Sequence, residues 1–110
     1  MNILILGPQG SGKGTQARLI SDKYTLFYFE AGEFSRDLTE TNPTIKEIVN
    51  KGELIPQGIM TNYVSEYLEE KVPERDDILF DGYPRFIEQY QFLQEWLKEK
   101  GKKIDIVFLL

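Results

Sequence analysis

Apolar residues along this chain fall into short unbroken runs separated by stretches of helical spacing. Asn2-Ile3-Leu4-Ile5-Leu6 is one such run, closed by Gly7-Pro8, and has the look of a strand buried on both faces of a parallel sheet. Lys13 to Tyr24 reads as a helix, with Ala17, Ile20 and Tyr24 on one face and Arg18 and Asp22 outside. Leu26 to Glu30 is a second short strand, and its trio Phe27, Tyr28 and Phe29 fits packing in a strand better than base stacking. A broken helical stretch follows: Gly32 to Glu40, then a helix capped by Asn42, with Pro43 in its first position and Gly52 past its end. Ile59 to Lys71 spaces Met60, Val64 and Leu68 four apart and stops before Pro73. Ile78-Leu79-Phe80 forms a third strand ending at Asp81-Gly82. Ile87 to Lys100 is a helix with Tyr90, Leu93 and Leu97 on one face and Trp96 assigned to packing; Gly101 ends it, and Ile104 to Leu110 is a fourth strand. Strands alternating with helices predict an α/β domain, a parallel sheet covered by helices, with no repeat or linker.

Composition narrows the field. The 110 residues make one small domain or part of one, burying roughly 60–70% of the unfolded surface. Eighteen acids against 13 bases give a net charge of −5, which argues against nucleic acid or an anionic membrane as the main partner. Any anion must therefore meet a local positive site. The sequence has no cysteine and no histidine, which excludes disulfides, thiolate or imidazole metal ligation and Ser-His chemistry. MNILILG is too short and lacks the basic flank of a signal peptide, and no apolar run reaches the ~18 residues of a membrane helix. The expected location is the cytoplasm. Lys98, Lys100, Lys102 and Lys103 suit a helix C-terminus facing solvent.

The stretch GPQGSGKGT, Gly7 to Thr15, sits between the first strand and the first helix. Glycines let successive backbone N–H groups point into one concavity, a nest for anionic oxygens. The following helix adds its N-terminal partial charge and Lys13 a full one. The plain alternative is a glycine-rich turn, but the spacing G-x-x-x-x-G-K and its strand–helix context favour a phosphate loop. The usual pattern has Ser or Thr right after the lysine; here Gly14 intervenes and Thr15 follows. Asp81-Gly82-Tyr83-Pro84-Arg85 lies at the carboxyl end of the third strand, the edge where parallel sheets gather ligands. A carboxylate there can hold Mg²⁺ through waters, and an arginine fork matches phosphate oxygens. The ordinary alternatives are a turn cap for Asp81, a surface ion pair for Arg85 and an exposed helix arginine for Arg36.

GPQGSGKGTQ resembles the start of the adenylate kinase family of nucleoside monophosphate kinases, where G-K-G-T-Q is the usual form. The resemblance continues through Ala31-Gly32-Glu33 and Arg36, through Lys51-Gly52-Glu53-Leu54-Ile55-Pro56, and to Asp81-Gly82-Tyr83-Pro84-Arg85, in the family's order and spacing. It implies a P-loop NTPase-like sheet of order 2-3-1-4 with helices on both faces and a helical monophosphate-binding segment at about 30–55. It implies ATP with Mg²⁺ on Gly10, Ser11, Gly12, Lys13, Gly14 and Thr15, with Asp81 and Thr15 at the metal. Lys13, Arg36 and Arg85 become the catalytic cations, the two arginines holding the acceptor phosphate. Ala31, Gly32, Glu53, Leu54, Ile55, Gly82, Tyr83, Pro84 and Gln89 would line the acceptor pocket. Gln89 stands where adenylate kinases read adenine, whereas Ala31 stands where they carry threonine and UMP/CMP kinases carry alanine. AMP is favoured, because an amide reading a base edge is the more specific device.

In the resembled family the lid and several arginines lie beyond the fourth strand, and this chain ends at Leu110. The expectation is an N-terminal half that binds ATP, AMP and ADP and performs ATP + AMP = 2 ADP weakly. The alternatives are a stand-alone phosphate- or nucleotide-binding module, a UMP/CMP kinase-like fragment, and an assembly piece whose fourth strand pairs with another chain. The uncovered fourth strand also predicts a homo-oligomer.

Overall fold

The computed structural model describes residues 1–8 and 10–110 of the chain. Among these residues the order is β1 (Asn2–Leu6), α1 (Lys13–Tyr24), β2 (Phe27–Glu30), α2 (Ala31–Thr41), α3 (Pro43–Asn50), α4 (Gln57–Lys71), β3 (Ile78–Asp81), α5 (Ile87–Glu99) and β4 (Ile104–Leu109). All strand pairs are parallel and the sheet order is β2-β3-β1-β4, as the alternation of elements and the resemblance predict. Among the described residues no helix is long and apolar enough to cross a membrane.

The central strands are apolar on both faces because both faces are covered. Ile3, Leu4 and Ile5 are at most 2% exposed, and Leu79 and Phe80 are fully buried. Alternation divides them. Leu4, Phe29, Ile78 and Phe80 meet α4 and α5 through Val64, Leu68, Leu93, Trp96 and Leu97. Ile3, Ile5 and Leu79 meet α1 through Ala17. Each such burial is worth about 1.5–3 kcal/mol, so these two strands anchor the fold. Asn2 is the polar member of the first run, and its burial has a reason. Its Oδ1 accepts from the Ile78 N–H at 2.9 Å and its Nδ2 donates to Lys103 O at 3.1 Å, tying the starts of the strands together.

Several expectations shift in detail. The Glu30 carboxylate accepts from the Glu33 N–H, so α2 begins at Ala31 rather than Gly32. Asn42 caps α3 as expected, Oδ1 accepting from the Ile45 N–H at 3.1 Å. Tyr24, assigned to the inner face of α1, is 52% exposed; Ser21 is buried with Ala17 instead, and the chain turns away at Thr25, φ 56°. Tyr90 likewise lies at the edge of α5, whose buried stripe is Gln89, Leu93, Trp96 and Leu97. Lys102, assigned to solvent, donates to Glu74 O at 2.9 Å and Asp76 O at 2.6 Å and pins the loop before β3. The fourth strand is largely open: Val107, Phe108, Leu109 and Leu110 are all exposed.

Candidate active site

Parallel strands in this order bring the carboxyl ends of β2, β3 and β1 side by side. The loop leaving β1 turns through Gly10 and Gly12, whose φ values of 82° and 85° are left-handed conformations that favour glycine. Gly12 is the N-cap of α1, so its turn aims the helix's first N–H groups into the loop. Gly10, Gly12, Lys13, Gly14 and Thr15 line a concavity of about 320 Å³. Ser11 stays within the loop, its hydroxyl donating to Pro8 O at 2.7 Å. Gln9, part of the same stretch, lies outside the described residues.

A second cleft, about 480 Å³, adjoins Lys13 and is lined by Glu30, Gly32, Arg36, Gly82, Pro84 and Arg85 among others. Three cations therefore share one cavity. Gly82 sits between two of them: a Cβ there would lie 3.6 Å from Arg85 Nη2 and 3.7 Å from Lys13 Nζ. The Gly82 φ of 72° is again left-handed. Arg85 Nε donates to Gly82 O at 3.0 Å, which lays the guanidinium along the turn.

Asp81 ends β3 with its side chain 1% exposed. Lys13 Nζ pairs with its Oδ1 and the Tyr28 hydroxyl donates to its Oδ2, so both oxygens are engaged. Burial, and after it the bond to Asp81, holds the Tyr28 hydroxyl well above the ordinary phenol range. Among the described residues there is no cluster of three or more His, Cys, Asp or Glu able to cage a metal. One carboxylate, Asp81, together with the hydroxyl of the exposed Thr15 is a donor set that fits Mg²⁺, an ion that keeps much of its water and needs only one or two protein oxygens.

A third, mostly apolar cavity of about 450 Å³ opens beside Arg85. Ala31, Glu53, Leu54, Ile55, Tyr83 and Gln89 all contribute to its wall, with Phe29, Phe34 and Met60 behind them. Gln89 is 7% exposed, and its Oε1 accepts from the Arg85 backbone N–H at 2.7 Å. Its amide nitrogen is thereby turned the other way. Tyr83 is 3% exposed, its hydroxyl pushed up by burial. Its oxygen and the buried Gln57 Oε1 carry no hydrogen bond among the described residues. A further cleft of about 400 Å³ runs along α2 and α4 and is lined by Glu33, Asp37, Glu66 and Glu70. Those acids make it hostile to phosphate.

Two residues at the site are absent from the sequence-based set. Tyr28 pairs in register with Leu79, which places it diagonal to Asp81 on the same face, within reach of a long aromatic side chain. Glu30 is the register partner of Asp81 and stands in the cleft that Lys13, Arg36 and Arg85 share. Strand alternation is the signal that could have found both, once the pairing of β2 with β3 was assumed.

A glycine loop entering a helix, three convergent cations and a buried carboxylate at the carboxyl edge of a parallel sheet define a P-loop kinase-like α/β core. The family model "Adenylate kinase" matches residues 5–110. The chain is 42% identical over 97% of its length to an adenylate kinase of Archaeoglobus fulgidus, covering 51% of that protein. It is 41% identical over its whole length to an adenylate kinase of Azobacteroides pseudotrichonymphae, covering 59% of that protein. An adenylate kinase of Petrotoga mobilis matches at 38% identity over the whole chain and 51% of its own length. The chain belongs to the adenylate kinase family. It spans about half the length of these curated relatives.

Proposed function

We propose that this chain binds ATP on the glycine loop and a nucleoside monophosphate, AMP, in the adjoining cleft and apolar cavity. The carrying observation is that Lys13, Arg36 and Arg85 open onto one cavity beside an apolar pocket walled by the Gln89 amide. Phosphoryl transfer needs little covalent chemistry from a protein; it needs cations held where charge is shared between donor and acceptor oxygens. Lys13 neutralises the transferring end of ATP, and Arg36 and Arg85 hold the acceptor phosphate in line with it. The reaction is the reversible ATP + AMP = 2 ADP. Asp81 and Thr15 would hold Mg²⁺, which would supply positive charge against the nucleotide phosphates. Ile55 at the cavity wall shields the base from water, Leu54 beside it being 92% exposed, and Gln89 selects an adenine edge.

Transfer by these 110 residues is proposed to be weak. The chain spans about half the length of its relatives, and one transition-state arginine can be worth roughly 10³–10⁵ in rate. Ala31 in the cavity wall favours a second reading, in which the acceptor is a pyrimidine monophosphate, since its methyl offers no hydrogen bond to a base. We place the chain in the cytoplasm and assign it a homo-oligomeric state through the exposed face of β4.

A coupled ATP–AMP phosphotransfer assay, with AMP, UMP and CMP as acceptors, tests the reading. Turnover is expected to be highest with AMP and to vanish in Lys13→Ala. Turnover unchanged in that variant overturns the phosphate-loop assignment, and preference for UMP or CMP overturns the acceptor.

A further inference from the structure

β2 ends on an acid that the proposed reaction does not use. Glu30 stands in the phosphate cleft with its side chain 24% exposed, and its Oε2 lies 3.7 Å from Arg36 Nη2. The same oxygen accepts from the Glu33 N–H, so the carboxylate also caps α2. Gly32 lies beneath this pair. A Cβ there would fall 2.9 Å from Glu30 Oε1 and 3.2 Å from Arg36 Nη1, so acid and guanidinium close over a residue with no side chain. The carboxylate thus occupies the two features an incoming phosphate would use, a helix N-terminus and an arginine fork.

We propose that Glu30 is a tethered competitor for the acceptor phosphate: it holds Arg36 in the cleft and must release it before a monophosphate is clamped. This rests on the reading of Arg36 as the acceptor clamp. Glu30 touches neither reacting atom, so it is a positioning residue acting through Arg36. Its leverage is modest, because the Arg36 side chain is 71% exposed and a solvent-screened pair shifts an equilibrium by only about two- to fivefold. Modest leverage suits the role, since a buried pair would shut the clamp rather than tune it.

Calorimetric titration of AMP and adenosine into the chain and its variants decides the matter. Glu30→Gln removes the charge at nearly constant shape. Glu30→Ser keeps a capping oxygen but cannot reach Arg36. Both are expected to tighten AMP about two- to fivefold and leave adenosine unchanged, with thermal melts confirming folded protein. In an Arg36→Ala background the gain should disappear. If Arg36→Ala leaves AMP affinity at the parent level, the clamp reading itself fails. If Arg36→Ala weakens AMP while neither Glu30 variant tightens it, the clamp stands and the competitor is overturned. A gain that persists undiminished in the Arg36→Ala background also overturns it, because the effect is then the general field of one acid removed.

Discussion

Lys13→Ala takes the ammonium from Asp81, whose side chain is 1% exposed, and leaves that carboxylate with the Tyr28 hydroxyl on its other oxygen. Removing one partner of a fully buried ion pair costs about 3–5 kcal/mol. Here Lys13 keeps 14% of its side chain exposed and borders an open cleft, so water can partly replace it. The expected loss is about 2–3 kcal/mol, a large share of the ~5–15 kcal/mol that holds a domain together. At this chain length it corresponds to a fall in Tm of about 8–12 °C. Asp81→Asn should cost less, because the amide oxygen still accepts from Tyr28 and a freed Lys13 can reach solvent. In the double variant Lys13→Ala/Asp81→Asn no buried charge is stranded, and about 1–2 kcal/mol of the loss should return. Urea unfolding followed by the single tryptophan, Trp96, reads all four proteins. A Lys13→Ala variant as stable as the parent, or strict additivity in the double variant, would refute the reasoning. The result governs how nucleotide titrations are read, since a drop in ATP binding by Lys13→Ala mixes a lost contact with a loosened site.

Arg85→Ala is expected to weaken AMP by roughly tenfold or more, a charge-assisted contact being worth about 1.5–3 kcal/mol, and to change ATP less; equal losses for both ligands place Arg85 elsewhere. Tyr28→Phe should lower stability by about 1–2 kcal/mol, because a buried carboxylate loses a donor, and a melt at the parent temperature contradicts that. Acid should loosen the α4–α5 contact at Glu69, whose carboxyl is held below the usual glutamate range by its bond from Lys100, and less so by that from Trp96. A depressed native value means the contribution is present above the unfolded value of about 4.3 and fades as pH falls below it. The Trp96 emission should therefore move only as pH falls below the unfolded value of about 4.3, and a transition centred above that value rules the contact out. Sedimentation at micromolar concentration should show a dimer or larger species through β4, reduced by Phe108→Lys; a clean monomer unaffected by that change removes the oligomer.

The fold was legible because the runs Ile3–Leu6 and Ile78–Phe80 are apolar without alternation, which happens where both faces of a strand are covered. Helix ends were legible where one residue decides them, as at Asn42 and Gly101. They were misjudged where a partner decides them: Glu30 extends α2 backwards by reaching a backbone N–H three residues on. Periodicity placed Tyr24 and Tyr90 inside because 3.6-residue spacing says which face a residue shares, not where the covering layer stops. Nothing in the sequence neighbourhood of Lys102 announces the carbonyls of Glu74 and Asp76, which are brought to it by β3 pairing with β1, so spacing alone leaves it in solvent. At the candidate site the glycines and Lys13 stand out by their spacing, and Arg36 only by the family resemblance, whereas Tyr28 and Glu30 act through strand pairing and can be placed only once a register exists.

That register also explains how a chain of net charge −5 can gather three cations at one cleft, as the proposed phosphate site requires. Each element that follows a strand end delivers one cation: α1 after β1 brings Lys13, α2 after β2 brings Arg36, and the turn after β3 brings Arg85. The last residues of β2 and β3, Glu30 and Asp81, are paired across the sheet, and each engages a cation of the cleft, Arg36 and Lys13 respectively. Arg85 donates instead to a neutral carbonyl, Gly82 O. The site is thus positive by the loop amides and one cation not held by an acid, and it becomes more so only when an incoming anion displaces an acid. The two displacements differ in cost. Arg36 leaves a screened, surface partner worth little, while Lys13 leaves a carboxylate buried from water unless another cation takes its place. A monophosphate can therefore win Arg36 on its own charge. On the proposed reading, a triphosphate that drew Lys13 away would strand the buried Asp81 carboxylate unless a cation came with it, which is why the proposal pairs the nucleotide with a divalent cation.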